Sequence, residues 1–139
     1  MVDRMSKEKR SALMACIRSV NTGPERALRS GLHRDGYRFF KHVRGLPGKP
    51  DIVFPRLKVA VFVDGDFWHG YRFSRWQHKL APYWYEKIAG NRARDRRNFA
   101  RLRRSGWVVL RIWEHEVKAD LEGCIERVKS KLDERRSLL

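Results

Sequence analysis

Residues 58–64, KVAVFVD, hold five consecutive apolar side chains, three of them valine, and end on an acid. So short a β-branched run reads as a strand, and its lack of polar alternation means that both of its faces are covered. It is therefore the centre of a sheet, with an aspartate carried to the strand's end. The neighbouring segments must supply the cover. Residues 6–20 open on a Ser6 cap and place Leu13, Met14 and Ile17 at helical spacing. Thr22, Gly23, Pro24 and Glu25 form a T-x-x-E capping box with proline in the first turn, and Leu28 and Leu32 follow before Gly36 stops the helix.

The aromatic stretch YRFFKHV (37–43) reads as a strand, LPGKP as a turn, and Asp51 to Phe54 as a second strand broken by Pro55. From Tyr83 to Ser105, the residues Trp84, Ile88, Asp95, Phe99 and Leu102 fall near one helical face, with arginines on the rest, and Gly106 ends it. WVVLRIW (107–113) is a fourth strand, and Leu121, Cys124, Ile125, Val128 and Leu132 mark the core face of a closing helix. The expected order is α-α-β-β-β-α-β-α: an α/β fold with a mixed four-stranded sheet flanked by helices, in one domain over residues 1–139.

Composition bounds the partner. Lys and Arg number 32 against 16 Asp and Glu, a net charge of +16 and a pI near 10.7, which predicts a polyanion. No apolar run is long enough to span a bilayer, so nucleic acid leads over a membrane. MVDRMSKEKR has charge but no apolar segment behind it, so it is not a signal peptide, and the expected location is the cytoplasm. Cys16 and Cys124 lie too far apart in sequence for a metal pair and are too few for a disulfide framework. Both are expected to be reduced core thiols.

An acid entering the second strand of such a core is the layout of restriction-endonuclease-like nucleases, and Pro50 and Asp51 supply that P-D pair. The third strand then offers Asp64, Gly65 and Asp66, where the usual nuclease pattern has an acid, a spacer and a lysine. His69, just past the strand, is the candidate general base in its absence. The loop from Gly65 to Pro82 is long for a compact domain, and such loops are often functional.

Four segments, LPGKPDIVF, VFVDGDFWHG, YWYEKIAGNRARDRR and GWVVLRIWE, resemble, in order and spacing, the motifs of the Vsr-type very-short-patch mismatch-repair endonucleases. The resemblance runs from about Lys9 to the end of the fourth strand. It implies a DNA endonuclease that uses one or two Mg²⁺ ions to nick double-stranded DNA at or near a T:G mismatch, leaving a 5′ phosphate and a 3′ hydroxyl. It implies that Asp51 binds the metal with the backbone carbonyl of Val63, that His69 activates water, that Asp95 supports His69, and that Glu25 stands near the metal's water shell. Phe67, Trp68 and Trp84 match aromatics that wedge between base pairs. The family's structural zinc would fall on Asp66, Tyr71, Phe73 and His115; with no cysteine among them, no structural zinc is expected, and packing by Tyr71, Phe73 and Trp76 replaces it.

Each of these residues has a plainer reading. Asp51 can cap a turn, His69 can be a satisfied strand-end histidine, and the capping box alone can explain Glu25. Asp64 is either a second metal ligand or a solvent-facing acid. Phe67, Trp68 and Trp84 can be core rings. Lys87, Arg92, Arg96 and Arg97 belong to a helix with eight cations against two acids, too skewed for an ordinary solvated face, and are expected to hold phosphates. Two other functions stay open: a homing- or defence-type nuclease that cuts undamaged DNA, and a DNA-binding protein on a silent nuclease scaffold. A monomer is expected, since a nick needs one active site, with mismatch-repair proteins as candidate partners.

Overall fold

The computed structural model of the protein describes residues 21–139. The helix expected over residues 6–20, with Ser6 and Cys16, lies outside them. Helix α1 spans Gly23–Arg34, and three antiparallel strands follow: β1 (Phe40–Lys41), β2 (Ile52–Phe54) and β3 (Val59–Asp64). Two short 3-10 turns, Phe73–Arg75 and Gln77–Lys79, occupy the long loop before helix α2 (Pro82–Arg104). Helix α2 returns the chain to β4 (Val108–Trp113), which pairs parallel to β3 from Val59↔Val108 to Asp64↔Trp113. The short helix α3 (Glu114–Ala119) and helix α4 (Leu121–Arg136) close the chain. The four strands lie in the order β1-β2-β3-β4, a mixed sheet with helices on both faces, consistent with a restriction-endonuclease-like core.

The unbroken apolar run is covered on both sides. Val59 and Val61 face one layer, where Leu28 and Leu32 of α1, Val117 of α3 and Ile125, Val128 and Leu132 of α4 pack against Ile52 and Ile112. Ala60 and Phe62 point the other way, onto Phe99 and Leu102 of α2. Each such large apolar side chain withdrawn from water contributes about 1.5–3 kcal/mol, so this one strand anchors both layers. Gly31 brings α1 and α4 close, since a Cβ there would stand 2.2 Å from Ile125 Cδ1.

Two expectations change. The strand read over 37–43 shrinks to Phe40–Lys41, because His42 adopts a left-handed φ of 51° that turns the chain out of the ladder. The expected order gains a short helix, Glu114–Ala119, which starts as Glu116 accepts from the Trp113 backbone N–H; the closing helix follows as expected over Leu121–Arg136, capped by Asp120, whose side chain accepts from the Gly123 N–H. Among the described residues, no helix is long and apolar enough to cross a membrane.

Candidate active site

The start of α1, the turn before β2, the end of β3 and the middle of α2 surround an open cleft of about 780 Å³. Glu25, Asp51, Val63, Asp64, Phe67, Trp68, His69 and Asp95 all line it, joined by Lys49, Asn91, Arg94 and Glu114. The carboxylate and the imidazole singled out in the sequence therefore share one solvent-reachable cleft.

Asp51 enters from β2 as its Oδ2 accepts from the Val63 backbone N–H at 2.8 Å, which fixes the carboxylate against β3. Glu25 reaches the same point from α1. It is only 2% exposed and does more than cap: the Thr22 hydroxyl accepts from the Glu25 N–H at 3.4 Å, while the Glu25 carboxylate takes the Asn21 N–H, Arg29 and His42 Nε2. Burial, together with the charges of Glu25 and Asp64, pushes the Asp51 carboxyl up to about 8, against the opposing bond from Val63. Ligand atoms of Glu25, His42 and Asp51 lie within 4.8 Å of one another. A buried, crowded carboxylate set of this kind favours a bound cation, which relieves both the repulsion and the desolvation of its charge, and its oxygens suit a hard divalent ion.

A second cluster centres on His69. Its Nδ1 lies 2.8 Å from Asp95 Oδ2 on α2, and its Nε2 lies 3.5 Å from Asp64 Oδ1 at the end of β3. Arg111, on β4, ties both acids down: Nε donates to Asp64 Oδ2 at 2.8 Å and Nη2 to Asp95 Oδ2 at 2.7 Å. Burial raises the Asp64 carboxyl, opposed by the charges of His69 and Arg111. For His69, burial lowers the imidazole, but the bond to Asp95 and the charges of Asp64 and Asp95 outweigh it, and the net shift is upward. Asp64, His69 and Asp95 also bring ligand atoms within 4.8 Å, so Asp64 stands with the histidine rather than with Asp51 and Glu25.

The expected DNA-contacting residues divide. Phe67 is 37% exposed, whereas Trp68 and Trp84 are 6% and 1% exposed, packed inside the free protein. Trp84 meets Phe67 edge-on at 5.8 Å, and its buried indole N–H has no acceptor among the described residues. Arg96 and Arg97 are exposed on α2. Lys87 is half-buried and lies over Tyr83, and Arg92 leans over Phe73 at 5.3 Å, steadying the loop.

Where zinc ligands would fall, Asp66 Oδ1 and His115 Nδ1 are 2.7 Å apart, and the Tyr71 ring lies against His115 at 4.4 Å and Trp113 at 5.0 Å. Trp76 donates to the Tyr71 carbonyl at 2.9 Å and packs edge-on to Phe73. One carboxylate and one imidazole, already bonded to each other, do not make a tetrahedral N/S site.

Sequence reading missed four contributors. Arg111 had a signal, as the lone charge in the apolar strand WVVLRIW. Asn91 fills the buried face of α2 between Ile88 and Asp95 and donates to the Trp68 carbonyl at 3.1 Å. His42 and Lys49 had none: one sits in a stretch read as a strand and the other in a turn, and only the fold brings His42 onto Glu25 and Lys49 to the cleft.

Comparison with known proteins identifies the family. The sequence profile described as DNA mismatch endonuclease Vsr matches residues 2–75. The Type II nicking enzyme V.XorIIP of Xanthomonas oryzae pv. oryzae is 47% identical over 135 residues, covering 96% of this chain and 98% of that protein. The Type II nicking enzyme V.NmeDIP of Neisseria meningitidis serogroup C is 36% identical over 99% of this chain and 95% of its own. The DNA mismatch endonuclease Vsr of Escherichia coli K12 is 33% identical over 96% and 87%. Full-length relatives and an acid-and-histidine cleft on a basic chain lead to one conclusion: the chain belongs to the Vsr family and is a DNA endonuclease.

Proposed function

We propose that the protein is a magnesium-dependent enzyme that nicks one strand of duplex DNA at or beside a T:G mismatch, with Asp51, His69, Asp95 and Glu25 as its catalytic residues. The observation that carries this reading is the convergence of Asp51 and the His69–Asp95 pair on one open cleft. Asp95 holds Nδ1 of the imidazole, which leaves Nε2 to take a proton from the water that attacks the phosphodiester. Asp51 is the principal ligand for magnesium, with the Val63 carbonyl and Asp64 as further candidates, and one or two ions serve. A cation held there supplies charge relief on the phosphate and on the leaving 3′ oxygen. Glu25 keeps the charge density high beside Asp51 and is itself held by Arg29 and His42.

Mismatch preference rests on the aromatics. Phe67 is already at the surface, and Trp84 carries a buried N–H without an acceptor among the described residues that gains partners when the ring leaves the core, so its release costs less than that of a fully bonded tryptophan. Inserting such rings costs a few kcal/mol per unstacked step, least where pairing is weak. Lys87, Arg92, Arg96 and Arg97 hold phosphates and set register. The names of the relatives, nicking enzymes and a mismatch endonuclease, support the same reading. A nick needs one active site, which fits a monomer, with mismatch-repair proteins acting on the same DNA.

The test incubates a labelled T:G duplex, a matched duplex and supercoiled plasmid with the protein, in Mg²⁺ or in EDTA, beside Asp51→Ala and His69→Ala. The reading expects a single-strand break in the mismatched duplex, lost in both variants and in EDTA while DNA binding persists. Equal cutting of matched and mismatched duplexes would replace it with a nuclease for undamaged DNA. Binding without any cutting would leave only the scaffold.

A further inference from the structure

The cleft must admit a polyanion, yet five of its lining residues, Glu25, Asp51, Asp64, Asp95 and Glu114, are acids. Its nearby cations are mostly committed. Arg111 bridges Asp64 and Asp95, Arg29 is held by Glu25 and Asn21, and Arg94 donates to the Asn91 side chain. Arg94 keeps its charge without an ion pair, and Lys49 is freer still: it lines the cleft, it is exposed, and its side chain has no hydrogen-bond or ion-pair partner among the described residues.

Its position is fixed by the backbone. The Lys49 N–H donates to the Leu46 carbonyl at 3.0 Å, closing a turn with Pro47 and Gly48 at its centre, and Gly48 has a φ of 78°. A Cβ on Gly48 would stand 3.1 Å from the Phe62 ring and 3.3 Å from Asn98 Cβ, so the turn is pinned against β3 and α2. Lys49 itself has a left-handed φ of 52°, a conformation that glycine adopts freely and lysine does not. Among the described residues no hydrogen bond or ion pair thus uses the lysine side chain, and its backbone conformation favours glycine. Strain of this kind, kept beside a site, points to function.

We infer that Lys49 is a further catalytic residue, whose ammonium contacts a non-bridging oxygen of the phosphate being cut. It supplies from the turn before β2 the cation that the end of β3, Asp64-Gly65-Asp66, does not. In the reaction the water oxygen bonds to phosphorus, its proton passes to His69 Nε2, the bond from phosphorus to the 3′ oxygen breaks, and that oxygen takes a proton from solvent. Lys49 exchanges neither proton nor electron. It balances charge that grows on the phosphoryl oxygens, so its effect falls on turnover more than on binding.

The inference rests on placing the chemistry at Asp51 and His69, and the test separates the two. Lys49→Gly, Lys49→Asn, Lys49→Arg and His69→Ala are compared with wild type for melting temperature, duplex binding in EDTA and single-turnover cleavage with Mg²⁺. Lys49→Gly and Lys49→Asn, both tolerant of the left-handed backbone, are expected to melt at or above wild type. They should bind duplex within about fivefold, yet cleave slower by on the order of 100-fold. Lys49→Arg should recover most of that rate. Wild-type cleavage by Lys49→Gly and Lys49→Asn, with His69→Ala inactive, overturns the role of Lys49 alone. Wild-type cleavage by His69→Ala removes the chemistry from this cleft and overturns both.

Discussion

His69 and Arg111 end on the same atom: Nδ1 of the imidazole and Nη2 of the guanidinium lie 2.8 and 2.7 Å from Oδ2 of Asp95. With its Nε on Asp64, Arg111 spans the two acids on either side of the histidine. Arg111→Leu leaves Asp64 buried with only His69 beside it, 3.5 Å away, which costs about 2–3 kcal/mol and lowers Tm by roughly 5–15 °C. Adding Asp64→Asn should restore part of the loss, because the stranded charge is gone. Thermal unfolding of both variants tests this, and a double variant no more stable than the single one would contradict it.

The upward shift of His69 sets the pH profile. Only the neutral imidazole accepts a proton, so kcat/KM should fall as pH drops through a midpoint above the ordinary 6.5. Asp95→Asn removes a bond and a charge that raise the histidine while burial, which lowers it, stays. Its midpoint must move down, and a pH–rate profile with an unmoved midpoint would show that Asp95 does not tune the base.

Asp51 makes metal-free stability depend on pH with an unusual sign. Its folded carboxyl, near 8, lies above the ordinary value of 3.8, so the native state holds a proton that the unfolded chain has lost. The resulting stabilisation is full below about pH 4 and disappears as pH rises towards 8. In EDTA, Tm should therefore fall across that window, less so in Asp51→Asn. Added Mg²⁺ should raise Tm more at pH 8 than at pH 6, since the ion and the proton compete for one carboxylate.

The Asp66–His115 contact and the Tyr71 ring hold the long loop to the start of α3. His115→Ala is expected to cost about 1 kcal/mol and a few degrees of Tm. A zinc-selective chelator should leave wild-type Tm unchanged. A drop on chelation would reveal a metal in the loop after all.

Gly90, in the middle of α2, has nothing within 4 Å of the place its Cβ would take. Gly90→Ala should therefore stabilise by about 0.5–1 kcal/mol through helix propensity alone, read as a rise of a few degrees. No rise would mean that something besides helix propensity acts on this position.

Much of this was legible because periodicity and capping are local. Val59 to Val63 announced a strand covered on both sides, Thr22 to Glu25 announced the start of α1, and Trp84, Ile88, Asp95, Phe99 and Leu102 share the inner side of α2, as their spacing said. Asp51 and His69 stand out through motif and resemblance. What stayed hidden depended on distant partners. His42 reads as one more strand residue until its φ of 51° takes it out of the ladder and its ring meets Glu25. The burial of Trp68 and Trp84 is likewise a tertiary fact: the same ring serves as core or wedge, and spacing does not tell which.

Helix α2 carries Trp84 near its beginning and Asp95 eleven residues on, about 16 Å along one rod. Whatever levers the aromatic end therefore re-aims the carboxylate that steadies the imidazole. The rod thus joins the aromatic end to the cleft, and a tilt at Trp84 reaches Asp95 through the backbone between them, past Gly90.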